Sequence, residues 1–577
     1  RIGQAKVIMF LLVTLLVQLV VVAAETTTLS FHGLFGDDMV VPRSDAVPVW
    51  GRAAPSTPVS VRLGDDIAAN TTTAADGSWT VRLNTSGVAV DAAPTTLSAQ
   101  TAEGDTVVQL SNVAVGTVVL CSGQSNMEFA VSDAYGAEDI LADTAARSTT
   151  VRTLTVPERQ AAAPMTELDG TAWAVASNDT IAPFSAVCYL TALEMLDNHP
   201  EMDSRYVGLV GSYVGGTPIE AWMSTDALRE AGEATDPTLQ DCSPTNNSVL
   251  FNAMVAPLRP FAFEAILWYQ GEANVDCLAY FERQPGDYGV AFAAMIRDWR
   301  DSFAAPSSSS SRAATTVVGT PPPQQLFLFV DLAAYGDADL DPVNRSADAL
   351  PAIRLEQLEA LALANVGTAM ALDRGDHADA CSPDLSAAEN YNYPGGIHPC
   401  NKTAVARRLG IAWADLAAGR ASSSPVATAA WTTTTPTVGN DAGVVVSVAF
   451  ANAADAAMVD TEACSACCAG DTPFEVELDG VWTLADVGGD DSSSEGLFVL
   501  HPRRRRPAGS SSSVAMRSSS SSRLTTTPSA ATRVRYAHQG FPQCVLSNGN
   551  DLTALPFVLN VTTKEDTPRG GPRVSES

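Results

Sequence analysis

From about residue 27 to residue 112 the apolar positions come in short, alternating runs. "AVPVWGRA", "PVSVRLG", "SWTVRLN" and "TVVQLSNV" are separated by Gly, Pro, Asp and Asn clusters. Alternation with period two exposes one face of a strand and buries the other, so this spacing predicts a β-sandwich. After residue 113 the runs become apolar on every position: "GTVVLCSG", "YVGLVGSY", "AILWYQG", "LFLFVDLA" and "GTAMALD". Segments with helical apolar spacing lie between them, at 127–146, 185–198, 249–258, 288–303 and 351–364, and a last one covers 401–418. Strands apolar on both faces and alternating with helices predict a parallel sheet covered on two sides. From residue 425 the pattern is β-like again.

In a sheet of this kind ligands bind at the carboxyl ends of the strands. Ser125, Gly215 with Gly216, and Gln270 with Gly271 each follow a predicted strand directly, so all three stretches fall on that one rim. Ser125 stands where a strand gives way to a helix. It reads either as a cap or as a nucleophile. The surrounding "GQSNM" is not the Gly-x-Ser-x-Gly elbow, because Met127 takes the last position.

A serine nucleophile needs a base, and the chain has six histidines. His398, in "GGIHPCNK" between the last predicted strand and the last helix, lies on the same rim. His377 sits in an Asp-rich segment and His199 at a helix end, which are surface or structural settings. The backbone N–H groups of Ser125 and Gly216 and the Gln270 side chain are the candidate oxyanion donors. Gln124 and Asn126 flank the serine as site support, and Glu272 reads as an acceptor holding its loop. Nothing in this scheme calls for a metal or a cofactor.

Composition narrows the partners. With 577 residues, 46% apolar and 17% charged, the chain reads as two to four globular domains. A formal net charge of −31 repels phosphate, which argues against nucleic acid and against an anionic membrane. Arg1 and Lys6 precede an apolar run at 7–22 that ends in Ala23-Ala24, the order of a secretory signal peptide cleaved after Ala24; a membrane anchor is the alternative. Sequons at Asn70, Asn84, Asn178, Asn246, Asn344, Asn401 and Asn560, with ten cysteines, fit a secreted or lysosome-like destination. A glycan on Asn401 is not expected so close to His398. The pairs Cys242 with Cys277 and Cys381 with Cys400 each bracket one loop-rich stretch, and Cys464, Cys467 and Cys468 read as disulfide partners rather than zinc ligands. Arg503–506, between Pro and Ser runs, read as a solvated loop.

"CSGQSNMEF", "GGTPIEAW", "WYQGEANV" and "GIHPCNK" together resemble the sialate O-acetylesterases, a branch of the SGNH hydrolases, and the likeness extends over most of the mature chain. Position by position it makes Ser125 the nucleophile, His398 the base, and Gly216 and Gln270 oxyanion-hole positions. Related enzymes carry an Asp two or three residues before the histidine; here Gly395 and Gly396 stand there. Asp376, or alternatively Asp373, is the substitute, or Ser125 and His398 act as a dyad.

The resemblance implies an SGNH α/β domain with a doubly wound parallel sheet, flanked by β-rich domains. The expected division is a signal peptide at 1–24, an N-terminal β-sandwich at 25–112 and a catalytic domain at 113–420 with a surface insertion near 304–323. A C-terminal β-rich domain follows at 425–565, with a disordered insertion at 490–525 and a tail at 566–577. The implied activity is removal of O-acetyl groups from sialic acid, as in a sialate 9-O-acetylesterase, through an acetyl-enzyme. An acetylesterase for other carbohydrates such as xylan, or a non-catalytic secreted glycan-binding protein, are the alternatives. The partner is thus an O-acetylated sugar or glycan, with no stable membrane association after cleavage. Oligomeric state is open.

Overall fold

The computed structural model describes residues 28–101, 106–147, 149–199, 205–232, 245–275, 287–303, 325–334, 349–374, 398–434, 444–453, 457–460, 472–487, 497–502, 531–538 and 544–563. At its centre are six strands: β1 (Val107–Gly123), β2 (Val151–Thr155), β3 (Val207–Tyr213), β4 (Ala265–Tyr269), β5 (Leu326–Asp331) and β6 (Val366–Met370). They lie in the order β2-β3-β1-β4-β5-β6, all parallel, with Ala174–Val175 antiparallel on the β2 edge. Every residue of β3, β4, β5 and β6 is buried, as a sheet covered on both sides requires.

Adjacent side chains on β4 show the two coverings. Trp268 packs edge-on against Trp299 of helix α3 (Asp287–Phe303), while Tyr269 lies under Lys402 of helix α5 (Lys402–Ala417). Helix α2 (Ala186–Asn198) packs beside α5, and α4 (Ala349–Glu359) beside α3. From β1 the chain runs to the outer strand β2, returns to β3 beside β1, and then crosses to β4 on the other side. The strand order therefore reverses at β1, where an open α/β sheet leaves a crevice at the carboxyl ends.

β1 serves two sheets. As far as Val113 it pairs antiparallel with Thr95–Thr101. From Ala114 it pairs with Val40–Pro42, and from Thr117 with β3. Its partners change at the position where the sequence pattern changes, but the strand runs through without a break. The N-terminal strands alternate as read: Val59, Val61 and Leu63 of Pro58–Leu63 are buried and their neighbours are not. Beyond residue 425, strands pair into an eight-stranded sheet with its own apolar cluster around Val446, Val448, Leu500 and Val534. Together these elements make a mixed α/β protein.

Two predicted helices are interrupted. The 127–146 segment is a single helical turn, α1 (Ser125–Glu128), then a 3-10 turn (Val131–Asp133), then a helix at Ala137–Arg147. Phe129 leaves helical geometry at φ −47, ψ 115, and Ala130 bridges to Ser185, so tertiary pairing overrides the local periodicity. The 249–258 segment closes with a π turn (Phe251–Val255) and a 3-10 turn (Ala256–Leu258) in which Pro257 has no N–H to continue a helix.

Candidate active site

β1 ends at Gly123, where the backbone takes φ +142 and a Cβ would stand 2.1 Å from the Tyr269 carbonyl oxygen. Only glycine fits such an approach. The next N–H, on Gln124, donates to that same oxygen at 3.0 Å, so the ends of β1 and β4 are clamped together. Ser125 follows at the start of α1. Its side chain is nearly buried, and its Oγ lies 2.8 Å from His398 Nε2.

His398 comes from the far end of the sequence. It precedes α5, which is capped by the Asn401 side chain accepting from Ala404 N–H at 3.4 Å. The intervening Cys400 is disulfide-bonded, and its carbonyl accepts from Tyr135 N–H. Burial first, and the Lys402 charge second, lower the His398 pKa to about 4. The imidazole is therefore neutral at ordinary pH, and with its proton on Nδ1 it accepts the serine hydroxyl proton at Nε2.

A buried polar chain backs this pair. Lys402, fully buried, donates from Nζ to Asn126 Oδ1 at 2.5 Å, and Asn126 Nδ2 donates to Glu272 Oε1 at 2.5 Å. The ammonium also sits 4.6 Å above the Phe129 ring and 5.4 Å above Tyr269, which replaces part of its hydration. Burial raises the Glu272 pKa, opposed by its own N–H, by Asn126 and by Lys402.

A second network fixes Gln270. Its Nε2 has three acceptors: Gln124 Oε1 at 3.2 Å, the Thr217 carbonyl at 3.1 Å and Asn274 Oδ1 at 2.7 Å. Tyr288 Oη donates to Gln270 Oε1 at 3.0 Å. An amide has two hydrogens, so the Gln270 reading as an oxyanion donor has no hydrogen left in this arrangement. The side chain instead ties the three rim loops together.

Gly215 and Gly216 reach the same rim from β3. A Cβ on Gly215 would lie 3.4 Å from Ser125 Cβ and 3.0 Å from Glu128 Oε2, and Gly215 N–H donates to that carboxylate at 2.7 Å. Gly216 is exposed, with φ +70 and open space above it. Among the sequence candidates, then, Ser125, His398, Gln124, Asn126, Gln270, Glu272 and the glycine pair converge on the carboxyl ends of β1, β3 and β4.

Asp376, His377, Gly395 and Gly396 lie outside the described residues. Asp373 faces elsewhere: its two oxygens accept from Arg408 Nη1 at 2.6 Å and Nη2 at 2.8 Å, with Arg374 Nε at 3.2 Å. Burial pushes its pKa up, but Arg408 and Arg374 outweigh that and leave it below the usual carboxylate range. Among the described residues no cluster of three or more His, Cys, Asp or Glu side chains has metal-binding geometry.

Residues 115–309 match the family described as "Carbohydrate esterase, sialic acid-specific acetylesterase". The chain is 31% identical over 292 residues to the sialate O-acetylesterases of Homo sapiens and Pongo abelii, covering 47% of this chain and 53% of each relative. The sialate O-acetylesterase of Rattus norvegicus is 32% identical over 234 residues, 34% of this chain and 41% of that one. A crystal structure described as a novel carbohydrate acetylesterase from Xanthomonas citri superposes with a TM-score of 0.66 at 26% identity, covering 92% of this chain and 99% of that one.

The family match falls on residues 115–309, the stretch that carries the end of β1, β2 to β4 and Ser125. The chain spans about half the length of the curated relatives it matches.

Three features of the structure were not singled out in the sequence. Lys402 stands inside the "GIHPCNK" motif but reads there as an ordinary helix-start lysine. Asn274 looks like a loop residue, yet it accepts from Ile219 N–H and donates to Glu220. Cys121 and Cys188 form a buried disulfide joining β1 to α2, with Cα atoms 6.0 Å apart. Both cysteines lie in apolar runs, so a strand–helix contact was the missing signal. Cys242, Cys277, Cys381, Cys464, Cys467 and Cys468 lie outside the described residues.

Proposed function

We propose that this chain is a serine esterase that removes O-acetyl groups from carbohydrates through an acetyl-enzyme, with O-acetylated sialic acid as substrate. The observation that carries the reading is the 2.8 Å contact between Ser125 Oγ and a neutral His398, 273 residues apart in sequence. His398 takes the hydroxyl proton as Ser125 Oγ attacks the acetyl carbonyl. The oxyanion is held by the Ser125 and Gly216 N–H groups, and Gln270 acts as the brace of that loop cluster. The sugar oxygen leaves with the proton from His398. Water then attacks the acetyl carbon, and His398 is again the base. Asp376 is the proposed orienting carboxylate, while Asp373 anchors Arg408.

In the same reading the parallel sheet is the SGNH catalytic domain, flanked by β-rich domains, and the protein acts in the secretory pathway. No helix among the described residues is long and apolar enough to cross a membrane. A second reading, hydrolysis of uncharged acetylated polysaccharide, is favoured by one feature. Glu128 sets a carboxylate against Gly215, beside Ser125, where an anionic sugar meets repulsion.

The test is acetate release from 9-O-acetyl sialic acid and from acetylated xylan by wild type and Ser125→Ala. Loss of both activities by at least about a thousandfold in the variant supports the mechanism, and the wild-type ratio chooses between substrates. Unchanged rates in Ser125→Ala, or failure of Ser125 to label with a fluorophosphonate, would leave the non-catalytic glycan-binding reading in its place.

A further inference from the structure

At the opposite edge of the sheet lies a cavity of about 480 Å³, within the roughly 300–1,000 Å³ of small-ligand sites. It opens between the N-terminal strands that carry Phe31, Trp50 and Arg52, the segment around Thr166 and Glu167, and the Ala256–Arg259 turn. Arg259 lies six residues before β4 begins, whereas Ser125 lies beyond its far end. The two sites are therefore separated by at least the ~16 Å length of a five-residue strand. The cavity is no part of the catalytic rim.

Its chemistry is specific. Trp50 is partly exposed, with Phe35 edge-on at 4.8 Å and His32 at 5.1 Å fixing the indole. His32 is itself buried: its Nδ1 accepts from Leu34 N–H at 3.2 Å, so its Nε2 donates to the Thr166 carbonyl at 3.1 Å. Arg52 Nε donates to Glu167 Oε1 at 2.7 Å, and its Nη1 to the Asp76 carbonyl at 3.2 Å, which holds a planar guanidinium–carboxylate pair on the wall. Arg259 lies over the Phe251 ring at 5.1 Å and donates Nε to the Ala256 carbonyl. Its two Nη groups have no acceptor among the described residues, so four hydrogens are left for a ligand.

Two guanidiniums and the carboxylates of Asp76 and Glu167 cancel in net charge, on a chain that is otherwise strongly acidic. A hydrocarbon ligand would strip water from four charged groups. A phosphate would meet two carboxylates. What the lining does match is a flat ring with an apolar C–H face and pairs of neighbouring hydroxyls. Such a ring rests on an aromatic surface while its hydroxyls bridge planar guanidinium and carboxylate groups.

We propose that this cavity binds a saccharide unit, with its ring on Trp50 and its hydroxyls on Arg259 and the Arg52–Glu167 pair. It would hold a glycan chain by a residue remote from the ester being cleaved. The choice of a saccharide over another neutral polar ligand rests on the esterase reading; the cavity does not.

The test is calorimetric titration of the full-length Ser125→Ala protein with xylotetraose and with sialyllactose, which separates neutral from anionic saccharides. The expected result is saturable binding of at least one, weakened at least about tenfold by Arg259→Met, a loss of about 1.4 kcal/mol. Thr80→Trp, which fills the cavity from an exposed position, should abolish it. In a Ser125 background the Thr80→Trp protein should hydrolyse 4-nitrophenyl acetate at the wild-type rate. No saturable binding of either saccharide at millimolar concentration, or binding that Thr80→Trp and Arg259→Met leave unchanged, overturns the proposal. Failure of the esterase reading would show separately, as absent 4-nitrophenyl acetate hydrolysis by the Ser125 protein.

Discussion

Lys402 offers a direct probe of how the site keeps His398 neutral. The drop in the His398 pKa from an ordinary 6.5 to about 4 corresponds to roughly 3 kcal/mol of differential interaction. Burial is the larger cause, so the Lys402 charge accounts for less than half, at most about 1.5 kcal/mol or one pH unit. Replacing Lys402 by Met keeps the buried stem and removes the charge. The acid limb of kcat/KM for acetate release, measured from about pH 3 to 8, should lie near 4 in wild type and move upward by up to about one unit in Lys402→Met.

The variant also leaves Asn126 Oδ1 without its Lys402 donor, at a cost of about 1–3 kcal/mol. The position of the limb, read on folded protein, is therefore the informative quantity rather than the absolute rate. The sign for stability follows from the same shift. A histidine whose folded pKa lies below its unfolded value binds fewer protons when folded, so stability is lost as pH falls from about 6.5 toward 4. A wild-type limb near 6.5, or one that moves down in Lys402→Met, would refute this account of His398.

Three further outcomes are expected. Replacing Cys121 and Cys188 together by Ser should cost about 4 kcal/mol, the loop-entropy value for a 67-residue separation, read as a fall in denaturation midpoint under non-reducing conditions. Glu128→Gln, which keeps an acceptor for Gly215 N–H, should raise kcat/KM several-fold for anionic sugar esters relative to neutral ones. That gain should shrink with added salt. Asp373→Ala should lose about 3–5 kcal/mol of stability because it leaves Arg408 buried without its main partner. The folded variant should keep the acid limb of wild type, which a carboxylate orienting His398 would not allow.

Much of the site was legible from one dimension because parallel α/β topology puts every strand's carboxyl end on one edge. Once "GTVVLCSG", "YVGLVGSY" and "AILWYQG" are read as parallel strands, Ser125, Gly215–216 and Gln270 share that edge whatever the strand order. His398 came with them because it follows the last such strand before a helix. Helix boundaries fared unevenly. Those of α2 and α5 follow from caps and period and that of α3 from period, whereas 127–146 broke because Ala130 was captured by Ser185, a contact no local window contains.

What the sequence by itself determined is the set of chemical groups, their positions relative to strand ends, and the net acidic charge. Only the tertiary structure decided what each group faces. It turned Gln270 from donor to brace, gave Asp373 to Arg408, and buried His398, with Lys402 beside it, so that the imidazole stays neutral. The physical reason is that hydrogen bonds and charge–charge interactions depend on distances of a few ångströms between residues hundreds of positions apart. Periodicity reports which face of an element is buried, but not which partner waits there.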